Sequence, residues 1–364
     1  MKKIGLYIHI PFCNGKCPYC DFYSIGTNEA EMDKYVNKVI ERLDDYKNEN
    51  IIIDTVYFGG GTPSVLGTKR LGALLDSIYN KLNVEKDAEV TFEVNPSSSD
   101  LLDFSLLRSK GLNRLSIGMQ SAVESEMKLL GRKHTREDVI NTVKSARNAG
   151  IENISLDLMI GVPYQEKSTL KGSMDFCNSL GVQHISAYIL KFEENTPFYE
   201  KMDTLPLLSD DEQAEQYLFV CDYLESLGYN QYEISNFSKA GYESRHNSKY
   251  WKCEEYIGIG PSAYSFYNGE RFYYNRSFQN FYSKKIVKDG IGGDKEEFIM
   301  LNLRLKRGLI FKEYEERYKE KLPERFFTKA KLFEKAGYLF MDKNKVALTK
   351  KGYLVSNSII SELI

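Results

Sequence analysis

Residues 3–22 read KIGLYIHIPFCNGKCPYCDF. The first eight, KIGLYIHI (3–10), are apolar and β-branched enough for one buried strand. Pro11 closes the run, and Cys13, Cys17 and Cys20 follow in the loop behind it. Three thiolates spaced three and then two residues apart can each hold one iron of a [4Fe–4S] cube and leave the fourth iron open. Zinc more often takes paired C-x2-C halves and four ligands. His9, four residues before Cys13, could still complete a zinc site, and an inert thiol cluster is the third reading.

Five more strand-like runs follow: TVYFGG (55–60), EVTFEVNP (89–96), RLSIGMQ (114–120), ISLDLMIG (154–161) and HISAYILKF (184–192). Helical patterns separate them near 30–48, 68–82, 100–109, 136–149 and 166–180, and a last one falls at 210–227. In the first, Tyr35, Val39 and Leu43 recur at a spacing that lines one helix face. Several strand runs read as continuously apolar rather than alternating, as expected of a parallel sheet covered by helices. Such βα repetition predicts an α/β barrel-like fold, open or closed. In a barrel, chemistry gathers where the strands end. His9 to Cys20, Gly59 to Pro63, Glu93, Gln120, Asp157 and Gly161 all fall at or near such ends.

The texture changes after about 230. Residues 229–282 are dense in Tyr, Phe and Asn, and short helices dominate from 294 onward. The expected organisation is a barrel over 1–230, an appended α+β segment over 231–290, and a small, mostly helical, winged-helix-like C-terminal domain over 291–364.

The 364 residues carry 49 basic and 51 acidic side chains, a formal charge of 49 − 51 = −2, so no basic excess points to nucleic acid. No apolar run reaches a membrane-spanning length, which leaves only peripheral membrane contact open. The start, MKKIGLYIHI, reads as a strand and not as a signal peptide, and the expected location is cytoplasmic. Six cysteines in a chain of this length do not make a disulfide framework. Cys177, Cys221 and Cys253 are scattered and read as buried apolar side chains.

The three-cysteine motif, with Tyr19 before its last cysteine, resembles that of the radical SAM superfamily. The segments VYFGGGTPS, FEVNP, RLSIGMQS, LLGRKHT, ISLDLMIGVPYQ, RHNSKYW and LTKKGY narrow the likeness. They resemble the oxygen-independent coproporphyrinogen III oxidase group and, within it, the heme chaperone (HemW) branch, over nearly the whole chain. That resemblance implies a partial (βα)6 TIM-like radical SAM barrel. It implies a [4Fe–4S] cluster on Cys13, Cys17 and Cys20 with S-adenosylmethionine (SAM) on the open iron. By the same resemblance the loop of Gly59, Gly60, Gly61 and Thr62, closed by Pro63, holds the methionyl amine. Glu93, Gln120, Arg132 and Asp157 would supply acceptors for the amine and ribose and a cation for the carboxylate. Tyr7 would lie near the sulfonium, and Tyr19 and Ile189 would flank the adenine.

His246, Asn247, Tyr250 and Trp251 spell H-N-x-x-Y-W, which resembles a motif of the heme chaperone branch and makes them heme-handling candidates. A neutral imidazole is a good axial ligand for heme iron, and aromatic rings pack on porphyrin faces. A packing role for His246 is the alternative. Two departures point away from the oxidase. Asp21 and Phe22 stand where it has a further cysteine, and the first strand begins almost at Met1, where it has an N-terminal extension. A third departure lies within the chaperone branch: Tyr264 occupies a stretch where many members have a histidine. The implied role is heme binding and transfer to an acceptor protein, with an electron donor such as flavodoxin or ferredoxin. The alternative is a radical enzyme that forms a 5′-deoxyadenosyl radical and acts on a porphyrin or another small molecule. Coproporphyrinogen oxidation is not expected.

Overall fold

The computed structural model describes every residue, Met1–Ile364. Strands and helices alternate as β1 (Lys2–Ile10), α1 (Glu29–Leu43), β2 (Ile51–Gly60), α2 (Gly67–Lys81), β3 (Val84–Val94), α3 (Phe104–Ser109), β4 (Arg114–Gln120), α4 (Glu124–Leu129), α5 (Arg136–Asn148), β5 (Asn153–Ile160), α6 (Lys167–Ser179) and β6 (His184–Ile189). The six strands pair in parallel, in chain order. After β6 come α7 (Pro197–Glu200), α8 (Asp210–Ser226), β7 (Asn230–Gln231), β8 (Asn236–Ser238), α9 (Arg245–Trp251), β9 (Tyr256–Ile259), β10 (Tyr264–Tyr267), β11 (Glu270–Tyr274), α10 (Phe278–Tyr282) and β12 (Ile286–Ile291). This stretch extends the sheet at both edges. β8 and β7 add to β6, while β9 pairs in parallel with β1 and carries β10, β11 and β12 outward.

Local signals explain where the helices begin. Asn28 caps α1 by accepting from the Glu31 N–H, and Thr135/Asp138 and Ser209/Glu212 form reciprocal capping boxes at α5 and α8. Apolar and polar residues alternate along most of each strand, against the expectation of continuous apolar runs; β2 departs from this at Ile51, Ile52 and Ile53, ahead of a register shift. Ile4, Leu6, Ile8 and Ile10 of β1 face the helices and are fully buried, as are Val90 and Phe92 of β3, Leu115, Ile117 and Met119 of β4, and Ile154, Leu156, Leu158 and Ile160 of β5. Each such side chain contributes roughly 1.5–3 kcal/mol on burial. Residues of the other parity line a polar lumen: Tyr7 and His9, Thr55 and Tyr57, Glu89, Thr91 and Glu93, Arg114 and Ser116, Ser155 and Asp157, His184 and Ser186. They contact one another across the barrel, for example Tyr57 to Glu93, Ser116 to Asp157 and Ser155 to His184. Helices cover only one face of each strand, so only that face is apolar.

The C-terminal region comprises α11 (Lys295–Leu303), β13 (Leu309–Ile310), α12 (Phe311–Tyr318), α13 (Glu324–Lys335), β14 (Leu339–Met341), β15 (Lys345–Leu348), α14 (Lys350–Leu354) and α15 (Ser356–Leu363). Its three-stranded sheet, ordered β13-β15-β14, gives the helix–strand–helix–helix–hairpin order of a winged helix. A Glu233–Leu305 bridge and the Lys306 N–H to Tyr232 carbonyl bond (2.9 Å) join it to the barrel, and Lys350 pairs with Asp222 and Glu225 of α8. No helix is long and apolar enough to cross a membrane.

A candidate cofactor site at the barrel mouth and a packed histidine at its floor

The loop after β1 carries three free, half-buried thiols, Cys13, Cys17 and Cys20. They lie close enough for Cys20 to feel the other two, and burial raises its thiol pKa. The loop is pinned at both ends. Cys13 N–H donates to the Ile25 carbonyl, and the Thr62 hydroxyl reaches Cys13 Sγ at 3.3 Å. Arg132 Nη1 lies 3.7 Å from Cys17 Sγ, and its other terminal nitrogen donates to the Gly118 carbonyl. Its Nε is buried without a partner.

The glycine loop is needed for close approach. Gly60 has φ +109°, and a Cβ there would meet the His9 ring at 2.5 Å; one on Gly61 would meet the Phe12 carbonyl at 2.6 Å. The loop N–H groups are already used: Gly60 donates to Glu93 Oε2 (3.2 Å), Gly61 to the Ile10 carbonyl and Thr62 to the Phe12 carbonyl (both 2.8 Å). The N–H groups of an amine need acceptors, so the carbonyls and Glu93 are the relevant groups.

Glu93 accepts from Tyr57 (2.9 Å) and Gly60, and burial pushes its carboxyl up to about 7. Asp157 accepts from Ser116 (3.2 Å), and burial raises its pKa too. Gln120, with φ +72°, ends β4 at the mouth, and its amide lies over Gly118 beside Arg132. Tyr19 packs edge-on against Phe198 beside the cysteine loop. Cys13, Cys17, Cys20, Gly59–Thr62, Glu93, Gln120, Arg132 and Asp157 therefore share one end of the barrel, with Tyr7 below them in the lumen.

Sequence reasoning missed Arg114. It is 1% exposed, its Nε and Nη1 have no hydrogen-bond partner, and it lowers the pKa of both Glu93 and Asp157. Its signal was parity: in RLSIGMQ the arginine shares a face with Ser116, opposite the apolar set.

The residues fit a cluster better than zinc. His9 is no free ligand, because Nδ1 meets the Tyr7 hydroxyl (3.1 Å) and Nε2 the Tyr23 carbonyl (3.0 Å). No three His, Cys, Asp or Glu side chains converge on one point as they would around a single ion. Ligands that each take a different corner of a cube need no such convergence.

His246 lies at the opposite end. α9 plugs the floor of the barrel, held where the backbone N–H groups of Arg245 and His246 donate to the two Glu89 oxygens (3.0 and 2.9 Å). The imidazole is fully buried, with Nδ1 on the Thr55 hydroxyl and Nε2 on the Tyr250 hydroxyl (both 2.8 Å), and it stacks on Tyr57. Burial, with Lys249 nearby, lowers its pKa to about 3. Both ring nitrogens are engaged in this packing, and coordination of iron would require one of these two bonds to be released. Tyr250 packs edge-on against Tyr256, Trp251 lies under Arg304, and the Asn247 N–H caps onto Ser244. The four motif residues lie together on the short helix at the barrel floor, with His246 buried and the other three half-buried.

Comparison with known proteins agrees with this arrangement. The sequence model of the radical SAM superfamily matches residues 7–177, and that of the HemN C-terminal domain matches residues 295–355. Among solved structures, coproporphyrinogen III oxidase (HemN) from Escherichia coli, described as a radical SAM enzyme, superposes with a TM-score of 0.85 at 20% identity. The match covers 100% of this chain and 90% of that one, and it shows the fold. Heme chaperone HemW of Lactococcus lactis is 33% identical, covering 100% of this chain and 98% of that protein. Heme chaperone HemW of Bacillus subtilis is 34% identical over 98% of each. With the radical SAM superfamily matched and relatives 33% and 34% identical over essentially the full length of both chains, the chain belongs to the heme chaperone HemW family of radical SAM proteins.

Proposed function

We propose that this protein binds heme and hands it to an acceptor protein, with a [4Fe–4S] cluster and SAM seated at the barrel mouth. The observation that carries this reading is the full-length likeness to heme chaperones, joined to a mouth where Asp21, and not another thiol, follows Cys20. The test is to reconstitute the cluster anaerobically and titrate heme: about one heme bound with a shifted Soret band is expected. Absence of saturable binding would sink the reading.

Cys13, Cys17 and Cys20 would hold the cluster, whose open iron supplies a chelation point for the SAM amine and carboxylate and a source of one electron. Glu93 and the glycine-loop carbonyls would accept from the N–H groups of that amine, Arg132 would face the carboxylate, and Gln120 and Asp157 the ribose. Tyr7 and Tyr19 would border the sulfonium and the adenine. An electron donor such as flavodoxin or ferredoxin belongs to the same proposal. Substrate-dependent formation of 5′-deoxyadenosine with a porphyrin would favour the enzyme reading instead.

Glu93 makes the cofactor site sensitive to pH. Burial holds its carboxyl up at about 7, and a cationic ligand favours the ionised form. Protonation therefore competes with binding, so affinity rises with pH. SAM affinity should fall about tenfold from pH 8 to pH 6. Glu93→Gln should bind weakly at both values with no such slope, measured by calorimetry on the reconstituted protein. An unchanged slope in the variant would remove Glu93 from this role.

A further inference from the structure

Heme handling needs a ligand for iron, and the imidazole of the H-N-x-x-Y-W motif is locked into the floor. The opposite end of the barrel offers another group. β9 runs beside β1 and ends at Gly260, whose bare backbone presses on the His9 carbonyl; a Cβ there would meet that oxygen at 2.6 Å. Tyr264 opens β10 four residues later, at the same end of the sheet as the cysteine loop. On the opposite face of β10, Tyr267 packs against Tyr46, just beyond α1 (5.9 Å between centroids). Alternation therefore turns Tyr264 away from the helix layer and toward the lumen side. Phe266, next along that face, is covered by Arg271, which pairs with Glu297 of α11. Tyr264 has no such cover and is 47% exposed.

Its surroundings suit a planar, anionic, iron-bearing macrocycle. The Tyr264 ring stacks on Tyr273 at 4.7 Å, which fixes its plane. Arg276 lies within coulombic range of its phenol. Arg276 is itself held by two hydrogen bonds to Asp21 (3.2 and 2.9 Å), the residue directly after Cys20. Across the lumen, Tyr188 at the end of β6 is likewise exposed. A phenolate is an established type of axial ligand for ferric heme.

We propose that Tyr264 is the axial ligand to ferric heme, with Arg276 beside it facing the anionic macrocycle. On binding, the phenol proton leaves to solvent and the oxygen lone pair forms the Fe–O bond. Iron stays ferric and nothing is oxidised or reduced. The proposal rests on the heme-binding reading above.

The test is a titration of the full-length, cluster-reconstituted protein with ferric heme, read by Soret absorbance and by the Fe–tyrosinate mode in resonance Raman. The wild type should show that mode. Tyr264→Phe, a surface change of one oxygen, should lose it and bind heme at least tenfold more weakly with an unchanged melting curve. Tyr264→His should recover affinity with an imidazole-type spectrum. If the wild type binds no heme, the functional reading itself fails. If the wild type binds heme and Tyr264→Phe keeps its spectrum and affinity, the reading stands and the assignment of Tyr264 is overturned.

Discussion

Cys17→Ala is expected to lose SAM binding while leaving the fold in place. Cys17 is half-exposed on a loop, so its thiol contributes little packing. The change in unfolding free energy should stay within about 0.5 kcal/mol. What disappears is one of three anchors of the cluster, and with it the open iron that chelates the cofactor. A loss of at least 100-fold in SAM affinity, on the order of 3 kcal/mol, is expected by calorimetry after anaerobic reconstitution. Arg132 and Glu93 remain, but a carboxylate and an ammonium held only by ion pairing in a wet mouth bind far more weakly than the same groups on a metal. A variant that still takes up iron and binds SAM as well as the wild type would remove the cysteine loop from the site.

The second large effect is expected at the other end. His246→Ala should destabilise the protein by about 3–5 kcal/mol, a large share of an ordinary domain's stability. The imidazole fills a closed floor, so its removal leaves a cavity. It also strands the Thr55 and Tyr250 hydroxyls, which now satisfy its two nitrogens. Urea unfolding monitored by circular dichroism measures this. In the fraction that folds, the heme spectrum should match the wild type. Wild-type stability together with a lost heme ligand signature would reverse the assignment and restore His246 as the ligand.

Much of this architecture was legible before any coordinates. The strand runs at 3–10, 114–120, 154–161 and 184–192 are where strands lie, because β-branched and aromatic residues between capped helices leave few alternatives. The cysteine and glycine loops could be placed at one end of the barrel from strand direction alone. What stayed hidden depended on tertiary parity and on distant partners. EVTFEV and ISLDLMI place their polar members on one side of the strand. Recognising this would have brought Glu89, Arg114 and His184 into the lumen with Glu93 and Asp157. The H-N-x-x-Y-W motif looked chemical because histidine can ligate iron. Nothing local reveals that Glu89, 157 residues before His246, grips its backbone.

The pairing of β1 with β9 also sets the order in which the molecule can be completed. The strand that leads into the cysteine loop finds one neighbour about 50 residues on, in β2, and the other about 250 residues on, in β9. Closing the longer loop costs more chain entropy and belongs to the slow, late part of folding. Until then β1 is an open edge, and the loop of Cys13, Cys17 and Cys20 hangs from a half-built wall. During synthesis the thiols leave the ribosome about 240 residues ahead of the segment that finishes their support. Iron delivery to a nascent chain would thus meet a flexible thiol loop, and delivery after release would meet the braced one.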